Sequence, residues 1–73
     1  MNTKELFGKE VLDVNANRIG KVSDIDFDMQ QGVINHIVIK AGLTKKYHIT
    51  LDKIEKIGDK VILKITEDEL GKK

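Results

Sequence analysis

Few residues in this chain have chemical potential. Three aspartates alternate at Asp24, Asp26 and Asp28, two histidines stand at His36 and His48, and seven lysines crowd residues 40–64. Alternate aspartates invite a calcium loop, a pattern that needs glycine at its sixth position and glutamate at its twelfth. Those positions hold Met29 and Asn35, so the pattern fails. On a strand the three carboxylates would instead lie about 6.6 Å apart along one solvated face. The histidines invite a metal site. A hairpin centred on Thr44 sets His48 opposite Lys40 and His36 opposite Asp52. The two rings would then be about 13 Å apart, too far for one ion to bridge. No intramolecular metal site is expected, although a dimer axis would be able to pair symmetric copies.

Nucleophilic catalysis has little material. Ser23 is the only serine, cysteine is absent, and no Gly-x-Ser-x-Gly segment occurs. Gly20-Lys21 follows no glycine-rich run, so no phosphate loop is present. The expectation is a non-enzymatic protein without a cofactor.

Charge is uneven along the chain. The net charge is +1, but residues 1–39 carry −2 and residues 40–64 carry +4. Lys45, Lys46, Lys53, Lys56, Lys60 and Lys64 form a possible basic patch. Nucleic-acid surfaces usually interleave arginine and aromatic rings with their lysines. This chain has one arginine and one tyrosine, which argues against DNA and leaves RNA as a weak alternative. The lysines otherwise serve to blunt sheet edges.

These residues must be positioned by a small scaffold. The chain has 73 residues without cysteine or proline, and one domain over 1–73 is expected. Ile, Val, Leu and Phe make up 24 residues, enough to fold. Ile and Val outnumber Leu and Ala sixteen to eight, which favours strands. No apolar run is long enough to span a membrane. The N-terminus lacks the apolar core of a signal peptide, so a cytoplasmic protein is expected.

The pattern predicts a helical turn near residues 2–8, with Thr3 as its cap and Leu6 and Phe7 as anchors. A first strand follows over 9–14, then a turn in which Asn15 or Asn17 takes a positive φ. The second strand runs from Ile19 to about Met29, with Ile25, Phe27 and Met29 on its apolar face. Val22 is out of phase with Ile25, which predicts a bulge near Ser23. The third strand, 33–41, is apolar on both faces: Ile37 and Ile39 on one, Ile34, His36 and Val38 on the other. That second face, joined by Ile62, is the candidate interface, and a small barrel without staples gains from forming a homodimer. Strands over 47–51, 55–57 and 60–66 follow, with Tyr47, Ile49, Leu51, Val61, Leu63 and Ile65 facing inward. Thr66-Glu67-Asp68-Glu69 has the form of a capping box for a terminal turn. The barrel is expected over 6–66, with a short polar tail over 67–73.

Several segments carry a family resemblance. They are Gly8-Lys9-Glu10-Val11-Leu12-Asp13, Ile19-Gly20-Lys21-Val22-Ser23-Asp24-Ile25-Asp26-Phe27-Asp28, Gly32-Val33, Ile37-Val38-Ile39, Ile49-Thr50-Leu51-Asp52-Lys53-Ile54 and Ile57-Gly58-Asp59. Over residues 6–65 the chain resembles the PRC-barrel domain of the photosynthetic reaction-centre H subunit and of the ribosome maturation factor RimM. The resemblance implies an all-β fold, a small six-stranded β-barrel. It implies a docking module that binds itself and a protein partner, and free-standing archaeal members are similar to adaptors of cell division. An accessory role in RNA processing or ribosome assembly is the alternative. It also gives Gly8, Asp13, Gly20, Asp24, Gly32 and Gly58 structural roles, Asp24 as an acceptor for turn or bulge N–H groups.

Overall fold

Isoleucine and valine at alternate positions give strands one buried face: eight of the sixteen are buried, and Ile34, Ile54, Ile57 and Ile65 pack against them. A computed structural model describes residues 2–70. The elements are helix α1 (Thr3–Leu6), strands β1 (Glu10–Leu12), β2 (Arg18–Asp28), β3 (Val33–Ala41) and β4 (Lys45–Ile49), a 3-10 turn (Leu51–Lys53), strands β5 (Ile54–Ile57) and β6 (Val61–Leu63), and helix α2 (Glu67–Leu70). One sheet runs in the order β4-β3-β2-β1-β6-β5. Every neighbouring pair is antiparallel except β1 with β6. The six-stranded all-β fold is as expected from the sequence. The sheet is not closed by hydrogen bonds, because among the described residues no ladder joins β4 to β5. The sheet still wraps one core. Val11, Ile37, Ile39, Ile49, Val61 and Leu63 are each 2% exposed or less.

Two bulges shape the long strands. Val22 pairs with Ile39 and Asp24 with Val38, so Ser23 is the extra residue on β2. Both Val22 and Ile25 are thereby buried, as their spacing predicts. A second bulge was not expected. Asp26 pairs with His36 and Phe27 with Ile34, leaving Asn35 extra on β3. It reverses the phase of β3, and Ile34 packs against the core. Ile34 therefore leaves the face that His36 and Val38 share.

Local turns also differ from the sequence reading. Asn2, not Thr3, caps α1, its side-chain oxygen accepting from the Glu5 N–H at 2.9 Å. Leu6 is buried but Phe7 is exposed. Ala16 takes the positive φ (65°) in the turn after β1, rather than either asparagine. The β3–β4 hairpin turns at Gly42, whose φ of +68° closes the chain in three residues. Ala41 then pairs with Lys45 and Val38 with His48, a register two residues away from one centred on Thr44. β4 ends at Ile49, so Leu51 falls in the 3-10 turn and is half-exposed.

At the other end, the capping box forms. The Thr66 hydroxyl accepts from the Glu69 N–H at 3.4 Å, and the Glu69 carboxylate accepts from the Thr66 N–H at 3.2 Å. Residues 71–73 of the expected polar tail lie outside the described residues. Thr66→Ala is expected to lower stability by about 1 kcal/mol, read from the urea midpoint at unchanged m-value.

Candidate functional site

The Asn35 bulge and the early end of β4 together open an apolar cavity of about 350 Å³. Ile25, Phe27, Ile34 and Ile37 line it from β2 and β3, Leu6 from α1, Ile57 from β5, and Leu51 from the 3-10 turn. Phe27 is 50% exposed and Leu51 44% exposed, so the side chains at the mouth are apolar and wet. Met29 and Val33, at the neighbouring β2–β3 turn, are also exposed. The sequence placed Phe27 and Met29 on the inner face with Ile25, but only Ile25 is buried. Exposing such a cluster costs a monomer hydration free energy, which makes it the candidate interaction surface.

The candidate interface of Ile34, His36, Val38 and Ile62 does not assemble. Ile34 lines the cavity instead. Ile62 lies on β6, separated from β3 by β2 and β1, in a shallow depression with Lys56 and Lys60. Of the four, His36 and Val38 share the outer face of β3. The corrected β3–β4 register brings His48 beside them. His48 Nδ1 lies 2.9 Å from His36 Nε2, not the 13 Å that a Thr44-centred hairpin implies. Asp26, opposite His36 on β2, has its carboxylate 3.8 Å from His36 Nδ1 and accepts from the Asn35 side-chain amide at 3.1 Å.

The lysines are divided. Lys45 and Lys46 stand on β4 at one end of the strand order. Lys53, Lys56, Lys60 and Lys64 stand on or beside β5 and β6 at the other end. Lys60 is engaged: its ammonium lies 2.6 Å from Glu10, which also meets Arg18 at 3.2 Å. The Lys60 hydrogen bond holds the Glu10 carboxyl below its ordinary pKa, against partial desolvation, with the Lys60, Arg18 and Lys21 charges adding to the effect. Lys45, Lys46 and Lys56 also blunt the two edge strands, β4 and β5.

The residues given structural roles occupy distinct places. Asp13 is 1% exposed. It accepts from the backbone N–H groups of Asn15, Asn17 and Glu67 at 2.8–2.9 Å and from the Asn17 amide at 3.3 Å. Burial pushes its pKa up, but these hydrogen bonds outweigh burial and hold it below the ordinary value. Gly20 has the Lys40 carbonyl against the position a Cβ would take. Asp24 accepts from the Ile25 N–H at 2.8 Å, beside the Ser23 bulge. Gly8 and Gly32 have positive φ, and the Gly58 carbonyl accepts from the Lys9 ammonium.

No helix among the described residues is long and apolar enough to cross a membrane. The family model described as the PRC-barrel domain matches residues 1–70. Among curated proteins, none matches the chain.

Proposed function

The chain belongs to the PRC-barrel family, a family of protein-interaction folds, and from that premise we propose that it is a non-enzymatic adaptor that docks onto a second copy of itself and onto a protein partner. The observation that carries this reading is the apolar mouth formed by Phe27 and Leu51. The cavity behind it is lined by aliphatic side chains from four parts of the chain, a shape suited to an inserted apolar side chain. The half-exposed aromatic at its lip is of a type enriched at the cores of protein interfaces. The reading extends to a cytoplasmic setting and, through the resemblance to some free-standing archaeal members, to a partner in the cell-division machinery.

Light scattering after gel filtration tests it. The wild type is expected to run as a dimer, and Phe27→Asp to weaken self-association by about tenfold or more. A clean monomer at high concentration, with no protein retained in pull-downs, overturns the reading. Shifts confined to Lys45, Lys46, Lys53, Lys56 and Lys64 on titration with RNA at low salt would replace it with an RNA-binding role.

A further inference from the structure

We propose that His36 and His48 form a two-imidazole binding site for a divalent transition metal ion on the outer face of β3 and β4. The Gly42 turn creates the site by setting His48 opposite Val38, so that it reaches His36 on the diagonal. The two facing nitrogens, His36 Nε2 and His48 Nδ1, are 2.9 Å apart. The ring centroids are 4.7 Å apart with the planes at 68°. That separation is shorter than a head-on N–H···N contact of the same length gives, so the nitrogens meet at an angle.

The distance selects among ions. Two nitrogens at about 2.0–2.1 Å from one ion stand about 2.9 Å apart at a right angle and about 3.3–3.4 Å apart at the tetrahedral angle. The observed 2.9 Å matches the right angle, the geometry of copper(II) and nickel(II) in nitrogen and oxygen surroundings. Zinc in a tetrahedral site would need the rings to open.

A second layer supports the pair. The Asp26 carboxylate stands on the far side of the His36 ring, 3.8 Å from Nδ1, and is itself held by Asn35. The carboxylate is beyond hydrogen-bond distance of Nδ1, and it acts on a bound ion through its charge; the ion replaces the hydrogen shared between His36 Nε2 and His48 Nδ1. Asp24, across Val38 from His48, adds a second negative charge on the same side. Lys21, Lys40 and Lys46 form one cross-strand row on this face and oppose an ion from the other side. Among the described residues no group of three or more His, Cys, Asp or Glu side chains is placed to hold a metal. Two ligands therefore come from this chain, and the remaining positions are left to water or to a donor from a partner.

The test uses the full chain and the metals alone. Nickel(II) added to the 15N-labelled protein is expected to broaden the amide signals of His36, Val38 and His48 first. Calorimetry with copper(II) and nickel(II) is expected to show one site, lost in His36→Gln and separately in His48→Gln. Asp26→Asn is expected to weaken binding by about tenfold or more without changing the stoichiometry. The ions should raise the melting temperature of the wild type and not that of the histidine variants. Both histidines lie outside the core, so each variant provides its own folded control by its amide spectrum. Equal binding by the wild type and the double variant, or broadening centred elsewhere, overturns the proposal, and the pair is then a proton-sharing contact only.

Discussion

Gly20→Ala is expected to cost the fold about 3 kcal/mol, at the upper end of ordinary overpacking. The reason is geometric. Gly20 lies in β2 opposite Val11, and a Cβ at this position overlaps the Lys40 carbonyl oxygen. It would also lie 2.9 Å from the Lys40 carbonyl carbon and 3.1 Å from the Ala41 Cα. All three atoms are backbone, so no side chain can rotate away. Relief requires β2 to separate from β3 near the Lys21–Lys40 pair, at the end of the longest ladder in the sheet. A core of this size rarely supplies more than about 3–5 kcal/mol, so the variant should keep no more than about 2 kcal/mol of stability at room temperature. Urea denaturation followed by circular dichroism reads the loss directly. Gly8→Ala is the control. Its Cβ meets no atom within 4 Å, and only its φ of +86° is unfavourable, at about 1–2 kcal/mol. A Gly20 variant as stable as the wild type would show that β2 and β3 do not approach this closely.

Asp13→Asn is expected to give the next largest loss. Four donors converge on this carboxylate, and one of them, the Glu67 N–H, belongs to the first turn of α2. Asn can accept with its oxygen but places an NH2 group against N–H donors at the other position. Buried donors would be left without a partner, and the β1–β2 turn would come away from the C-terminal segment. Lower melting temperature and faster hydrogen exchange at Asn15, Asn17 and Glu67 are the expected readouts. The pH dependence follows from the same contacts. The folded carboxyl titrates below its ordinary value, so its contribution is complete above about pH 4 and fades as pH falls through the folded value. Wild-type melting temperature should fall in that acid range. The asparagine variant should start lower and lose less, because residue 13 no longer titrates in it; the loss that remains comes from groups such as Glu10 and Asp52, also held below their ordinary values. Parallel acid profiles for the two proteins would contradict this role for Asp13.

Most of the strand pattern was legible because strand periodicity is local. Alternation marked β2, and β3 was bounded correctly at 33–41. Val22 and Ile25, three residues apart, signalled the Ser23 bulge. Ile34 and Ile37, which flank the Asn35 bulge, have the same three-residue spacing. On a strand with apolar groups on both faces, however, that spacing also fits an unbulged strand, and periodicity cannot separate the two. The exposed Phe27 and Leu51 depend on where the strands stop pairing, which alternation does not encode.

The amino-acid sequence by itself determined the family pattern, the all-β character, the strand count and the lack of a thiol. Each follows from residue type or from spacing within a few positions. Only the tertiary structure decided the relations between strands. A loop centred on Leu43 instead of Thr44 shifts β4 by two residues, and that shift alone carries His48 to His36. One donor to Asp13 lies 54 residues away at Glu67. Register and closure are set by the packing of the whole sheet against one core, so side chains meet across strands at distances that no local pattern records.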